Sequence, residues 1–143
     1  MVEAKAYYIT TPIYYVNDKP HIGHAYTTLA CDVIARFMRL DGRDVILMTG
    51  TDEHGQKVEK SAQAAGVEPL AFCDGVSQNF RDLTPMLNFS NDGFIRTTEK
   101  RHTEASQAIW RAMADNGDIY LDSYAGWYSV RDEAFYDEKE LTD

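Results

Sequence analysis

No stretch of this 143-residue chain approaches the roughly 20 consecutive apolar residues that a membrane-spanning helix needs. Met1-Val2-Glu3-Ala4-Lys5 also lacks the apolar region of a secretory signal, so cytoplasmic residence and no membrane partner are expected. Cysteine is scarce. Cys31 and Cys73 lie far apart, each inside an apolar helical pattern, which excludes a disulfide framework and points to buried thiols. Positive charge is short as well: 14 basic against 23 acidic residues give a net charge of −9. That balance argues against a broad grip on nucleic acid, and DNA is not an expected partner. The deficit is local, since residues 1–114 carry 12 basic and 14 acidic side chains, whereas 115–143 carry 2 and 9. The acidic tail reads as a solvated surface. Repeats and low-complexity segments are absent, and hydrophobic and charged contents of 44% and 26% are those of an ordinary globular chain.

What is present begins with Ala6-Tyr7-Tyr8-Ile9, whose aromatic and β-branched content predicts a buried strand. It runs into Thr10-Thr11-Pro12-Ile13-Tyr14-Tyr15-Val16-Asn17 and ends at His21-Ile22-Gly23-His24, where a helical pattern starts. Leu29, Val33, Phe37 and Leu40 then form one apolar stripe, predicting a helix of about 16 residues that Asp41-Gly42 stops. Asp44-Val45-Ile46-Leu47-Met48-Thr49 is a continuous apolar run of strand length, so the order is a right-handed parallel crossover. In such sheets ligands sit beyond the carboxyl ends of the strands, which brings Thr11-Pro12, Gly50-Thr51-Asp52 and the His21 turn to one edge.

A helix follows over 55–65 with Val58, Ala62 and Ala65 inward and Gly66 past its end. Pro69 opens another, carrying Phe72, Val76, Phe80 and Leu83 inward and ending at Thr84-Pro85. Phe94-Ile95-Arg96-Thr97-Thr98 is a third strand, and Ala105 to Met113 a further helix that stops before Gly117. After Asp118 the chain turns aromatic and β-rich, predicting a hairpin that turns at Ala125-Gly126. The expected class is therefore α/β: residues 1–117 form a parallel, Rossmann-type sheet with flanking helices, and 118–143 begin a β-rich inserted domain.

A helix start offers unpaired N–H groups and the positive end of the macrodipole, which suits an anion such as a polyphosphate. Histidines at i and i+3 share one side of that turn, each with a ring N–H to offer, and Gly23 lets a ligand approach. Capping of the turn is the competing role for His21 and His24. His21-Ile22-Gly23-His24 resembles the HIGH signature of the class I aminoacyl-tRNA synthetases. Together with Thr11-Pro12-Ile13-Tyr14-Tyr15-Val16-Asn17 and Gly50-Thr51-Asp52-Glu53-His54-Gly55, it resembles the methionine-specific branch of that family over nearly the whole chain.

The resemblance implies methionine activation by ATP and transfer to tRNA(Met). His21 and His24 would contact phosphate and stabilise the transition state, with Thr11, Pro12 and Gly23 also at the ATP. It places Ile13 and Tyr15 against the methionine side chain, a stretch that alone would read as core packing, and Asp52 against the methionine ammonium; His54, by its position near the crevice, is a further candidate for methionine contact. N-capping of the helix near Gly55 is the alternative role for Asp52. His102 reads as a solvated surface residue. Magnesium would arrive with ATP rather than in a protein cage. The family's lysine-rich K-M-S-K-S loop has no counterpart here, so the chain resembles the front portion of a larger enzyme that is inactive alone. A small HxGH nucleotidyltransferase and a noncatalytic nucleotide-binding module are the competing readings.

Many members of the family carry a zinc knuckle near the position of Tyr128. Here Ser129 and Asp132 stand where its paired cysteines would be, and the tail holds neither Cys nor His. Metal analysis is expected to find no stoichiometric zinc; a one-to-one content would overturn this.

Overall fold

The computed structural model describes residues 5–141. The chain forms two compact units that part between Thr103 and Glu104. The first contains β1 (Ala6–Thr10), β2 (Tyr14–Tyr15), α1 (Ile22–Leu40), β3 (Asp44–Asp52), α2 (Gln56–Ala65), α3 (Pro69–Met86) and β4 (Gly93–Arg96). Every pairing in its sheet is parallel, and β3 takes part in all of them. β1 matches Tyr7 to Val45 and Ile9 to Leu47, and β2 matches Tyr14 to Thr51 and Tyr15 to Asp52. Between these two ladders residues 11–13 stand against only Thr49 and Gly50, so the register slips by one step at Pro12. A proline cannot donate to a ladder, and the slip sets it outside the pairing.

The second strand is longer than its apolar run: β3 extends through Gly50 and Thr51 to Asp52. Gly50 is what permits this. A Cβ there would fall inside van der Waals contact of the Ile95 carbonyl oxygen and 2.5 Å from Ile95 Cγ2 on β4. The glycine thus sets how closely β4 can run beside β3.

One face of the sheet packs on α1, where Ala35, Val45 and Leu47 are buried with Tyr7, Ile9, Cys31 and Met38 around them. A second cluster joins Val16, Val58 and Cys73 to Phe72 and Val76. α2 ends at Gly66 in the left-handed conformation (φ 70°) and α3 begins at Pro69, as the sequence suggests. α3 continues one residue past Pro85, because a proline in the last turn forfeits little of the helical ladder and Leu87 N–H still reaches the Leu83 carbonyl.

Ala65 of α2, expected inward, is exposed, and Cys31 is only half-buried, whereas Cys73 is buried as expected. Three larger expectations are corrected. β1 is half exposed rather than buried, with Tyr8 at 68% exposure, since only Tyr7 and Ile9 face α1. The stripe Leu29, Val33, Phe37 and Leu40 faces outward, and α1 instead buries Thr28, Asp32 and Ala35. Small Ala35 allows close approach to β3. Asp32 is satisfied by Arg36 Nε at 2.7 Å and by the Ser90 N–H and hydroxyl. Burial pushes the Asp32 carboxyl up, but these hydrogen bonds and the Arg36 charge outweigh it and hold it below 3.8.

The third correction lies in the second unit, which contains most of α4 (Lys100–Asp115), then β5 (Trp127–Ser129), β6 (Ala134–Tyr136) and a 3-10 turn over Glu138–Glu140. The hairpin is antiparallel, but its turn is at 130–133 rather than Ala125-Gly126. Ser129 Oγ donates to Asp132 Oδ2 at 2.7 Å, and Glu133 takes the left-handed conformation (φ 54°). α4 buries no residue, leaving Ile109 and Trp110 exposed. Among the described residues no helix is long and apolar enough to cross a membrane.

Gly50→Ala is expected to destabilise the first unit by about 3 kcal/mol or more through overpacking against β4. Gly75→Ala, in α3 with open space where its Cβ would stand, should be neutral or stabilising by up to about 1 kcal/mol. Chemical denaturation of the two variants measures the contrast, and equal effects would refute the account of Gly50.

Candidate functional site

α1 begins with its two histidines locked together. His21 is the N-cap residue, in extended backbone, and its Nδ1 accepts the Gly23 N–H at 3.1 Å. His24 Nδ1 accepts the His21 N–H, also at 3.1 Å, completing a capping box. The rings stack with centroids 3.8 Å apart. A Cβ on Gly23 would lie 2.9 Å from His21 Cε1, so the glycine makes room for the ring. Capping, the competing role for these histidines, is therefore physically present. It does not compete with ligand binding. Because both Nδ1 atoms are acceptors, each neutral ring carries its proton on Nε2, leaving two N–H donors beyond the cap.

His24 is partly buried, edge-on to Tyr14 at 4.8 Å and to Phe80 at 5.1 Å. Burial first, and the neighbouring His21 second, lower its pKa below 6.5. At neutral pH it is an uncharged donor. α1 has no acidic side chain in its first turn, which suits a phosphate and offers a cation no ligand of its own.

Tyr14 ties this turn to the strand ends. Its hydroxyl pairs with Thr28 Oγ1 at 2.9 Å and donates to the His24 carbonyl at 3.3 Å, while its ring stacks on Phe80. Its own strand, β2, pairs with the last two residues of β3. Asp52, half buried there, stands opposite Tyr15. Among the described residues no side chain pairs with its carboxylate. Nor does it cap α2, whose N-cap is Gly55 without a side-chain bond.

The other expected residues divide. Thr11 is buried, and its hydroxyl donates to the Pro12 carbonyl at 2.8 Å while lying 2.7 Å from Thr49 Oγ1, so its hydrogen bonds are spent within the protein. Pro12 is exposed. Ile13 and Tyr15 are about 40% exposed, and Lys57 Nζ sits 5.8 Å over the Tyr15 ring. Ile13 and Thr11 line a cleft of about 290 Å³ together with Tyr8, Met48, Ile95 and His102. His102, expected as a solvated residue, thus faces a hollow. His21, His24, Asp52 and His54 do not line that cleft. His54 is exposed, with Nε2 3.4 Å from the Thr97 carbonyl.

Sequence reasoning missed Glu53. Its side chain is wholly buried and takes Arg96 Nε at 2.6 Å and Nη2 at 2.9 Å, together with the hydroxyls of Thr51 and Thr98. Burial pushes its carboxyl up, but these hydrogen bonds and the Arg96 charge hold it below 4.5. An acidic residue directly behind a buried strand was the available signal, because such a charge requires a partner. Among the described residues no group of three or more His, Cys, Asp and Glu side chains is placed to hold a metal ion.

Residues 7–143 match the model for tRNA synthetases class I (M). The chain belongs to that family. It is 65% identical over 137 residues to the methionine–tRNA ligase of Rickettsia typhi (strain ATCC VR-144 / Wilmington), covering 96% of this chain and 27% of the relative. For the methionine–tRNA ligase of Mesorhizobium japonicum (strain LMG 29417 / CECT 9101 / MAFF 303099) the identity is 60%, covering 95% and 26%. Among solved structures, Mycobacterium tuberculosis methionyl-tRNA synthetase in complex with methionyl-adenylate aligns with a TM-score of 0.88 at 56% identity, over 95% of this chain and 27% of that one. The chain thus spans about a quarter of the length of these class I synthetases, and the half sheet with flanking helices is the fold they share with it.

For this synthetase chain the capping box sets a pH dependence. Protonating His24 turns Nδ1 into a donor and breaks its bond from the His21 N–H. Since the folded pKa is lowered, the stability from the box is complete above about pH 6.5 and is lost as pH falls through the folded value. Imidazole nitrogen NMR should show the Nε2–H tautomer for both rings at pH 8 and a His24 midpoint below 6.5. A midpoint at or above 6.5, or an Nδ1–H tautomer, would contradict the geometry.

Proposed function

We propose that this chain is the N-terminal part of the catalytic domain of a methionine–tRNA ligase, working in the cytoplasm on methionine, ATP and tRNA(Met). The methionine carboxylate attacks the α-phosphorus of ATP, pyrophosphate leaves, and the methionyl group passes to tRNA. The substrate is its own nucleophile. The protein must align two reactants and supply donors where charge builds.

The single observation that carries this reading is the stacked pair of Nε2–H donors at the start of α1, joined through Tyr14 to the strand ends that hold Asp52. An imidazole pair on a helix N-terminus gives phosphate oxygens directed hydrogen bonds in the field of the macrodipole. Thr11, Pro12 and Gly23 shape the ATP side. Asp52, whose carboxylate no side chain among the described residues engages, receives the methionine ammonium, with His54 beside it. Ile13 and Tyr15 offer the thioether apolar and aromatic surface. ATP enters with Mg2+ already on its phosphates.

Residues 1–117 belong in this reading to the nucleotide-binding half, and 118–143 open the inserted domain. The β5–β6 hairpin supports that change of architecture. The Ser129–Asp132 hydrogen bond closes the turn where a knuckle would have thiolates, so no zinc is proposed there. tRNA is contacted by the remainder of the enzyme.

ATP–pyrophosphate exchange tests the proposal. In the complete ligase carrying this chain, His21→Ala or His24→Ala should lower methionine-dependent exchange roughly a hundredfold or more. The isolated 143-residue chain should show none. Full exchange in the histidine variants, or turnover well above background by the isolated chain, would refute the respective parts of the reading.

A further inference from the structure

We infer that Glu53 and Arg96 are a positioning pair for Asp52, fixing the carboxylate that receives the methionine ammonium. The inference rests on the role proposed for Asp52 and adds what holds it in place. Glu53 follows the last residue of β3 and is anchored at both backbone and side chain. Its N–H donates to Thr97 Oγ1 at 2.8 Å, and its carbonyl accepts from Cys73 Sγ at 3.7 Å. Its carboxylate takes both arms of the Arg96 fork and two hydroxyl donors.

Arg96 ends β4, opposite Thr51, and its Nη2 reaches on to Asp74 of α3 at 2.6 Å. Its pKa is raised, first by the Glu53 hydrogen bonds, so the pair stays charged. A buried ion pair adds little net stability compared with apolar packing of the same volume. Four directional donors on one carboxylate instead fix orientation. The peptide between Asp52 and Glu53 is thereby held on one side by β2, through the Tyr15 register, and on the other by Arg96, Thr97 and Thr98. A binding carboxylate at the end of a strand needs such support, since a shift of about 1 Å is enough to lose a productive contact.

The test is steady-state exchange kinetics in the complete ligase. Glu53→Gln turns an acceptor into a donor facing Arg96, and Arg96→Lys keeps the charge but loses the fork. Each should raise the methionine KM about tenfold, with the ATP KM within about twofold of wild type. Thr98→Val keeps the ion pair, removes one donor, and should raise the methionine KM about threefold. It carries the same test if Glu53→Gln does not accumulate. Methionine and ATP KM rising together, or a lowered Tm with both KM values unchanged, would overturn the inference. Asp52→Asn is the reference. Methionine binding weakened there but not in the Glu53, Arg96 and Thr98 variants overturns the positioning role alone, whereas unchanged binding in Asp52→Asn overturns the reading beneath it.

Discussion

Tyr14 is buried where three elements meet. Its backbone pairs with the end of β3, its hydroxyl holds Thr28 and the His24 carbonyl on the first turns of α1, and its ring packs against both His24 and Phe80 of α3, which also touch each other. Loss of that side chain would free the helix start from the sheet. The strand that carries it is only two residues long and exists because the register slips at Pro12. Without the slip, the tyrosine side chain would point to the opposite face of the sheet. A short irregularity in one strand therefore decides whether Tyr14 ties the histidine turn to the acidic strand end.

The two halves of that site are built differently. On the α1 side the histidines complete one capping box, so their Nε2–H groups are oriented before any ligand arrives. On the β3 side no side chain among the described residues pairs with the Asp52 carboxylate, and its neighbour Glu53 takes all the compensation. Adjacent residues of the same charge thus do opposite things. Glu53 is spent on structure, which in the proposed reading leaves Asp52 for the ligand.

Much of this was legible in the sequence, for physical reasons. The apolar run into Gly50, the Gly66 stop and Pro69 start, and the histidine pair at a strand-to-helix turn are local signals, and local chemistry decided them. The apolar stripe of α1 was legible as a helix but not as to its side. Periodicity finds a face, yet Ala35 and the Asp32–Ser90 bonds, whose partners stand 58 residues apart, choose the one that packs inward. The hairpin turn was misplaced because Ala125-Gly126 looked like turn chemistry, while a Ser129–Asp132 hydrogen bond made the real one. Glu53 was passed over because its partner lies 43 residues on, at the end of another strand.

The central claim is that the α1 histidine pair and the end of β3 border one ligand. A crystal structure of the complete ligase with a non-hydrolysable methionyl-adenylate analogue measures this most directly. The account predicts phosphate-mimic oxygens about 3 Å from a histidine Nε2 and the analogue's ammonium against the Asp52 carboxylate in the same molecule. An analogue seated with its ammonium on another residue, or with its phosphate mimic turned away from both imidazoles, would contradict it.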